Sequence, residues 1–343
     1  MNCEQTFTDF RILRCASAPI TTIHYSQLPI HLMPFKNIYV IIPVMKKILL
    51  FIILALLTTA GTINQTQASL VSTGNYRSQQ NKIYKAELKQ IKNLFKVHEE
   101  FANRHDITGL KTLYSDNYMN NDGFNKDTYF KSVEETWEQC KDLTYNSKIL
   151  SVDINGSNAD VSMEESAIGT VYDKADKLSV TGEIHAKSTS IYHLEKKGAK
   201  WFIKGETMLT DESALLYGDA RFMNIELIAP SQVASGEIYT TIVTADADEN
   251  TVIVGSLEHD PVVYPTKTPN GPLRTMPKTH ILERYIKANT DNINEYAVAS
   301  LAISKSLTDK LGGTKVYMAG VACIMKRINV VPKNNFAKLE DKK

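Results

Sequence analysis

Several things are scarce or missing in this chain, and each absence excludes a class of protein. Only four cysteines occur in 343 residues. They stand at Cys3, Cys15, Cys140 and Cys323, with no C-x-x-C spacing, so a disulfide scaffold and a cysteine-based zinc or redox centre are excluded. Charge of one sign is not in excess: 39 Lys+Arg against 38 Asp+Glu leave a formal net charge of +1. The two signs are interspersed, so there is no basic face to neutralise nucleic-acid phosphates. There is no sequence repeat, phosphate loop or nucleophile motif. Asp246-Ala247-Asp248-Glu249-Asn250 lacks the central Gly and distal Glu of a calcium loop. His185 and His193 share a strand but lie eight residues apart, too far for one metal ion. Neither metal nor cofactor is expected.

One long apolar run is present, and it lies near the start. Met45-Lys46-Lys47 is a short basic segment, and the unbroken apolar stretch 48–57 follows it. Thr66-Gln67-Ala68 then places small side chains where a signal peptidase needs them, so residues 45–68 read as a secretory signal peptide. The expected location is therefore the periplasm or the exterior. The alternative is an uncleaved anchor through residues 48–63, which is shorter than the roughly 20 residues that cross a bilayer comfortably; only then would the protein contact a membrane. Residues 1–44 precede this signal without clear periodicity and are read as an over-extended start, with Met45 the true one. Removing 1–68 leaves roughly 275 residues, enough for two ordinary domains. Cys140 and Cys323 then remain, one in each half, as either an interdomain staple or two buried thiols.

Residues 69–82 are polar and read as a loose leader. A helical period follows: Leu88, Ile91, Leu94, Phe95, Phe101 and Ala102 recur at three- and four-residue spacing, with lysines opposite and His98 on the apolar stripe. A break at Asp106 and Gly109 leads to a short helix with Leu110, Leu113 and Tyr114. A third helix starts after Asn125, a suitable N-cap, and carries Tyr129, Phe130, Val133, Trp137 and Cys140 on one face. From about residue 147 the period becomes two. Strands are expected at 147–154, around 159–164, at 182–194 and at 200–209, with Asn155-Gly156 and Glu195-Lys196-Lys197-Gly198 as turns.

Residues 83–218 resemble the nuclear-transport-factor-two-like, or SnoaL-like, superfamily. The likeness rests on the long first helix, on Asp106-Ile107-Thr108-Gly109-Leu110-Lys111-Thr112-Leu113-Tyr114, and on Gly198-Ala199-Lys200-Trp201-Phe202-Ile203 opening a late strand. It implies an α+β cone: three helices on a curved antiparallel sheet, with an apolar pocket at the wide end. It also implies pairing of two copies through the sheet in many members. Isomerases, cyclases, dehydratases and pure binding domains share this fold, so it does not choose an activity. Residues 222–333 are strand-only, with Pro- and Gly-rich loops, and resemble an all-β immunoglobulin-like sandwich. Residues 334–343 form a polar tail.

A cone that catalyses must turn polar groups inward. The candidates are His98, Tyr118 and Trp137 from the helical part, and Glu165, His185 and Glu206 from the sheet. A carboxylate or imidazole would serve as base and a tyrosine hydroxyl would stabilise an oxyanion. A lone histidine on an apolar helix face is more often a boundary residue, and tryptophans are more often core. Without a motif, the chain reads as an exported binding or assembly module with a cone pocket for a small apolar ligand, more a non-enzyme than an enzyme. The alternative is an isomerase, lyase or dehydratase working by acid–base catalysis. Mass spectrometry of the native protein tests the start site: no peptide from residues 1–44 is expected, and detection of any would overturn Met45 as the first residue.

Overall fold

The computed structural model describes residues 74–175, 178–248, 251–265, 272–308 and 314–333. The expected over-extended start, signal peptide and polar tail lie outside them, apart from the described part of the leader. Among the described residues no helix is long and apolar enough to cross a membrane.

The first helix, α1, spans Gly74–Asn103. It begins inside the stretch expected to be a loose leader, because polar residues can continue a helix whose later turns are anchored. Those later turns bury Ile91, Leu94, Phe95, His98 and Ala102, the expected stripe. Helix α2 is a single turn, Ile107–Lys111, whose N-cap Asp106 accepts from the Gly109 N–H at 2.8 Å. Helix α3 is Lys126–Gln139, capped by Asn125, which accepts from the Thr128 N–H at 3.0 Å. The strands are β1 (Thr144–Asn155), β2 (Asn158–Ala175), β3 (Leu178–Lys197) and β4 (Lys200–Gly218). After a 3-10 turn at Asp219–Phe222 come β5 (Ile225–Ile228), β6 (Gln232–Ala234), β7 (Ile238–Ala245) and β8 (Thr251–Pro261). The last four are β9 (Arg274–Thr275), β10 (Ile281–Lys287), β11 (Glu295–Thr308) and β12 (Thr314–Val331).

One sheet runs β1-β2-β3-β4-β12-β11-β8-β9, with β6 added parallel to β12. The sheet is therefore continuous across residue 218: β4 pairs antiparallel with β12 from Gly218↔Gly320 to Glu212↔Lys326. Glycine is required at that junction. Gly218 has φ +57°, and a Cβ on it would stand 2.2 Å from the Ala319 carbonyl oxygen.

A second sheet, β10-β7-β5, packs across a separate core made by Leu227, Tyr239, Val243, Leu282 and Ile286 on one side and Ile253, Leu257, Leu301, Ile303 and Ile328 on the other. The first core lies between the helices and the long sheet. Strand β11 serves both: Tyr296, Val298 and Ala302 face the first core, while Ala297, Ala299, Leu301 and Ile303 face the second. Burial on both faces explains why this strand reads as a continuous apolar run rather than an alternation. Cys140 and Cys323 are both buried, and no disulfide joins them.

A fully buried ion pair between the two halves is made by Arg327 on β12. Its guanidinium reaches both carboxylate oxygens of Asp122, at 3.2 and 3.0 Å, and both side chains are fully buried. The Asn294 amide also donates to Asp122 at 2.7 Å. Removing one partner of a buried pair leaves an uncompensated charge, at a cost of about 3–5 kcal/mol. Arg327→Met is therefore expected to lower the unfolding free energy by about that amount in urea titrations, and adding Asp122→Leu to recover most of it. A single variant within about 1 kcal/mol of wild type would show that the pair does not hold the layers together.

Candidate functional site

Strand β4 places the site through two irregularities. Its register against β3 slips between His193/Leu194 and between Thr189/Ser190. Each slip corresponds to one extra residue in β4, Lys204 and then Leu209, and each reverses the inward parity. Trp201 and Ile203 face inward, then Glu206 and Met208, then Asp211, Ser213 and Leu215. A strict alternation could bury Glu206 or Asp211 on the same face, but not both. With the bulges, Glu165 on β2, Ser188 on β3 and Asp211 on β4 form one cross-strand row, since Glu165 pairs with Ser188 and Ser188 with Asp211.

The helical part supplies the other wall. Asn103 at the end of α1 exchanges hydrogen bonds with the Tyr145 backbone, at 2.9 and 2.7 Å, which ties the helix to β1. The segment after α2 is stitched to β4: the Ser115 N–H donates to the Ile203 carbonyl at 2.8 Å, and the Ile203 N–H to the Leu113 carbonyl at 2.9 Å. That stitching carries Tyr114 into the core, where it is 2% exposed.

Between these walls lies a cavity of about 60 Å³, lined by His98, Tyr129, Val133, Trp137, Tyr145, Glu165, Ala167, Ser188 and Asp211 among others, with Glu99, Asn146, Ser147 and Lys187 also on its wall. The two carboxyl groups of that row, Glu165 and Asp211, therefore face one small, largely apolar space, with Glu99 as a third carboxyl on its wall. Each accepts a tyrosine hydroxyl: Tyr192 donates to Glu165 at 2.9 Å and Tyr296 to Asp211 at 3.1 Å. His98 Nε2 lies 2.8 Å from the Tyr114 hydroxyl, which lies 3.0 Å from the Tyr129 hydroxyl. Glu206 sits behind this wall, fully buried, with neither oxygen in a hydrogen bond of good geometry.

Burial dominates the electrostatics. Loss of hydration pushes the Asp211 carboxyl up to about 7, against the opposing pull of Arg327 and of the Tyr296 hydrogen bond. Glu165 is also raised, by burial first, with the Tyr192 hydrogen bond opposing and the Glu99 charge adding. Glu206 is held well above the carboxylate range by burial and then by the charge of Glu165; the Ser190 hydroxyl and Arg327 only partly offset this. Glu206 thus keeps its proton at neutral pH, while Asp211 and Glu165 are brought towards titration there. His98 moves the other way: burial lowers it to about 4, so its ring is neutral. Burial also raises the Tyr114 and Tyr129 hydroxyls well above their ordinary value.

Of the expected residues, His98, Trp137 and Glu165 line the cavity. Tyr118 is buried, edge-on to Tyr114 at 5.1 Å, and is part of the packing behind the cavity. Trp137 is fixed as wall: its Nε1–H donates to the Tyr145 hydroxyl at 2.9 Å, and its ring stacks on His105 at 4.7 Å. Glu206 is inside but does not reach the cavity. His185 is a correction. It is exposed, 3.7 Å from Glu183, because its neighbours Ile184 and Ala186 are the residues of that stretch turned inward. Asp211, Tyr114, Tyr129, Tyr192 and Tyr296 were missed. The tyrosines carry an apolar signal, and Asp211 has the wrong parity until the bulges are known.

Asp211 gives a stability signature. In the unfolded chain it ionises near 3.8, and in the folded chain near 7. Between those values the folded state holds a proton that the unfolded state has released. The contribution is therefore full below about pH 4, is lost as pH rises to 7, and is level above. Asp211→Asn keeps the neutral state, so its stability relative to wild type should rise through that window, by on the order of 4 kcal/mol at the limit. His98 contributes a slope of opposite sign that both proteins share. A pH-independent difference in urea midpoints would overturn the raised carboxyl.

No protein-family model matches this chain, and no curated protein matches it. Solved structures align with part of it. A candidate scytalone dehydratase from Novosphingobium aromaticivorans is 16% identical, with 37% of this chain and 86% of that one covered, at a TM-score of 0.30. A hexachlorocyclohexane dehydrochlorinase (LinA, type 2) is 10% identical, with 36% and 84% covered, at 0.29. A ketosteroid isomerase-like protein from Erwinia carotovora atroseptica is 18% identical, with 36% and 94% covered, at 0.27. At these scores none of them bears on the fold or the chemistry of this chain.

Proposed function

We propose that the cone is catalytic: an isomerase, dehydratase or related lyase that moves protons on a small, mostly apolar molecule. This is the alternative to a binding or assembly module, and one observation carries it. Two carboxyl groups poised toward neutral pH share a row facing one cavity, and each is held by a tyrosine hydroxyl. A module that only binds an apolar ligand gains nothing from burying such groups, each of which costs desolvation. Glu165, once ionised, takes a proton from a substrate carbon and becomes the neutral acid. The carbonyl oxygen that gains electron density is met by neutral donors, the protonated Asp211 and the Tyr129 hydroxyl. Returning the Glu165 proton to another carbon gives isomerisation. Expelling a hydroxyl as water, with a proton from Asp211, gives dehydration.

The wider setting belongs to the same proposal. Residues 45–68 support action outside the cytoplasm. The second core, with β5, β7 and β10 closed over β8, β11 and β12, supports an immunoglobulin-like sandwich beside the cone. Exposed Ile168 and Tyr172 on the outer sheet face support pairing of two copies through it.

The test needs no natural substrate. Wild-type full chain is expected to catalyse deuterium incorporation next to the carbonyl of butanone in D2O, followed by proton NMR. The rate should climb with pH as the raised Glu165 ionises and fall again as Asp211 loses its proton, and Glu165→Gln should cut it by about a hundredfold or more. Exchange no faster than with serum albumin would sink the catalytic reading and leave the binding module.

A further inference from the structure

His98 and Tyr129 both line the cavity, whereas Tyr114, which joins them, does not. The chain His98 Nε2, Tyr114 hydroxyl, Tyr129 hydroxyl is linked at 2.8 and 3.0 Å, so it leaves the cavity at one point and re-enters it at another. We infer that this chain is a proton relay between two oxygen atoms of one substrate, and that the substrate class is a small hydroxy-ketone with hydroxyl and carbonyl on adjacent carbons. The inference rests on the catalytic reading above.

The chemistry of that class requires two transfers. Exchanging the hydroxyl and carbonyl positions moves one hydrogen between carbons and another between oxygens. Glu165 handles the first and the relay the second. Nε2 of His98 is committed to Tyr114, so Nδ1 is the ring nitrogen outside the chain. Glu165 takes the proton from the hydroxyl-bearing carbon; the electron pair of that C–H bond forms the C=C bond. The carbonyl π pair meanwhile takes the Tyr129 hydroxyl proton, giving an enediol. Tyr129 is refilled by Tyr114, Tyr114 by His98 Nε2–H, and His98 Nδ1 receives the proton of the original hydroxyl. That oxygen becomes the new carbonyl as Glu165 returns its proton to the neighbouring carbon. Every proton taken is given back, and no net charge appears on the chain.

Neutrality matters here. A buried imidazolium and a buried tyrosinate are both disfavoured at this site, so His98 and Tyr129 cannot act as independent acid and base without large cost. A concerted chain avoids both charged states. The Tyr114 ring packs edge-on against Tyr118 at 5.1 Å and Phe130 at 4.9 Å, which holds its hydroxyl in a buried setting. Tyr114 is on this account a positioning residue, acting through its neighbours. After a turnover the chain points the other way, and either the reverse reaction or exchange at the cavity resets it.

The experiment compares two four-carbon probes in D2O with the full-length protein: acetoin, which carries both oxygens, and butanone, which has only the carbonyl. Butanone exchange reports Glu165 with its carbonyl donors, without any transfer between two substrate oxygens. The acetoin-to-butanone rate ratio reports the relay. Tyr114→Phe, which keeps the ring packing, is expected to lower that ratio by about tenfold or more. It should also turn a curved dependence of the acetoin rate on solvent deuterium content into a linear one, while leaving the KM for acetoin near its wild-type value. A merely structural role for Tyr114 would slow both probes alike and leave the ratio and curvature unchanged; that result overturns the relay while the catalytic reading stands. If wild type exchanges neither probe and Glu165→Gln changes nothing, the catalytic reading fails and the relay with it.

Discussion

A buried guanidinium is tolerable only when its charge is matched, and Arg327 organises much of this protein on that condition. Asp122 neutralises it with two oxygens, and Asn294 completes the carboxylate's shell. Asp122 lies in the loop before α3, Arg327 on β12 and Asn294 just before β11. One charge balance therefore joins the helical layer to the distal strands. The same cation lowers, but does not cancel, the burial penalty on Asp211 and Glu206. Because Asp122 already satisfies it, Asp211 is not forced into a permanent ion pair and stays titratable.

The long sheet turns this linkage into a site. β12 joins β4 edge to edge, and β11 is covered on both faces, so the core under the helices borrows part of its wall from the C-terminal strands. Tyr296 belongs to that borrowed wall and donates to Asp211, placing a residue late in the chain beside the cavity. The two bulges in β4 do complementary work. They let three successive inward stretches of one strand present packing residues, a hidden carboxyl and a cavity carboxyl in turn.

The helical wall is built on a different economy. The side chains of Tyr114 and Tyr129 are buried, and a buried hydroxyl without a partner is costly. Pairing them with each other and with His98 satisfies all three groups and leaves the cavity edged by neutral donors. Glu206, by contrast, is a buried acid that burial holds protonated, set back from the cavity wall.

Much of this was readable in the chain. The stripe of α1, the Asn125 cap and the strand periods follow from local spacing, because helical and strand periodicities are set by the backbone itself; the inward side of Glu165, like that of any strand residue, waited on register. His98 and Trp137 were identified by position on an apolar face, and the structure places both on the cavity wall. His185 was misjudged because strand parity depends on register, which a neighbouring strand decides. Asp211 was invisible because a bulge has no local signature in Leu209 or Thr210. The meeting of Tyr114, Tyr129 and His98 spans separate elements and depends on how α2 is stitched to β4. Sequence by itself thus determined which elements form and which faces they bury. Tertiary structure alone decided which ionisable groups share a cavity, since cross-strand register and long-range pairing bring together residues that local spacing keeps apart.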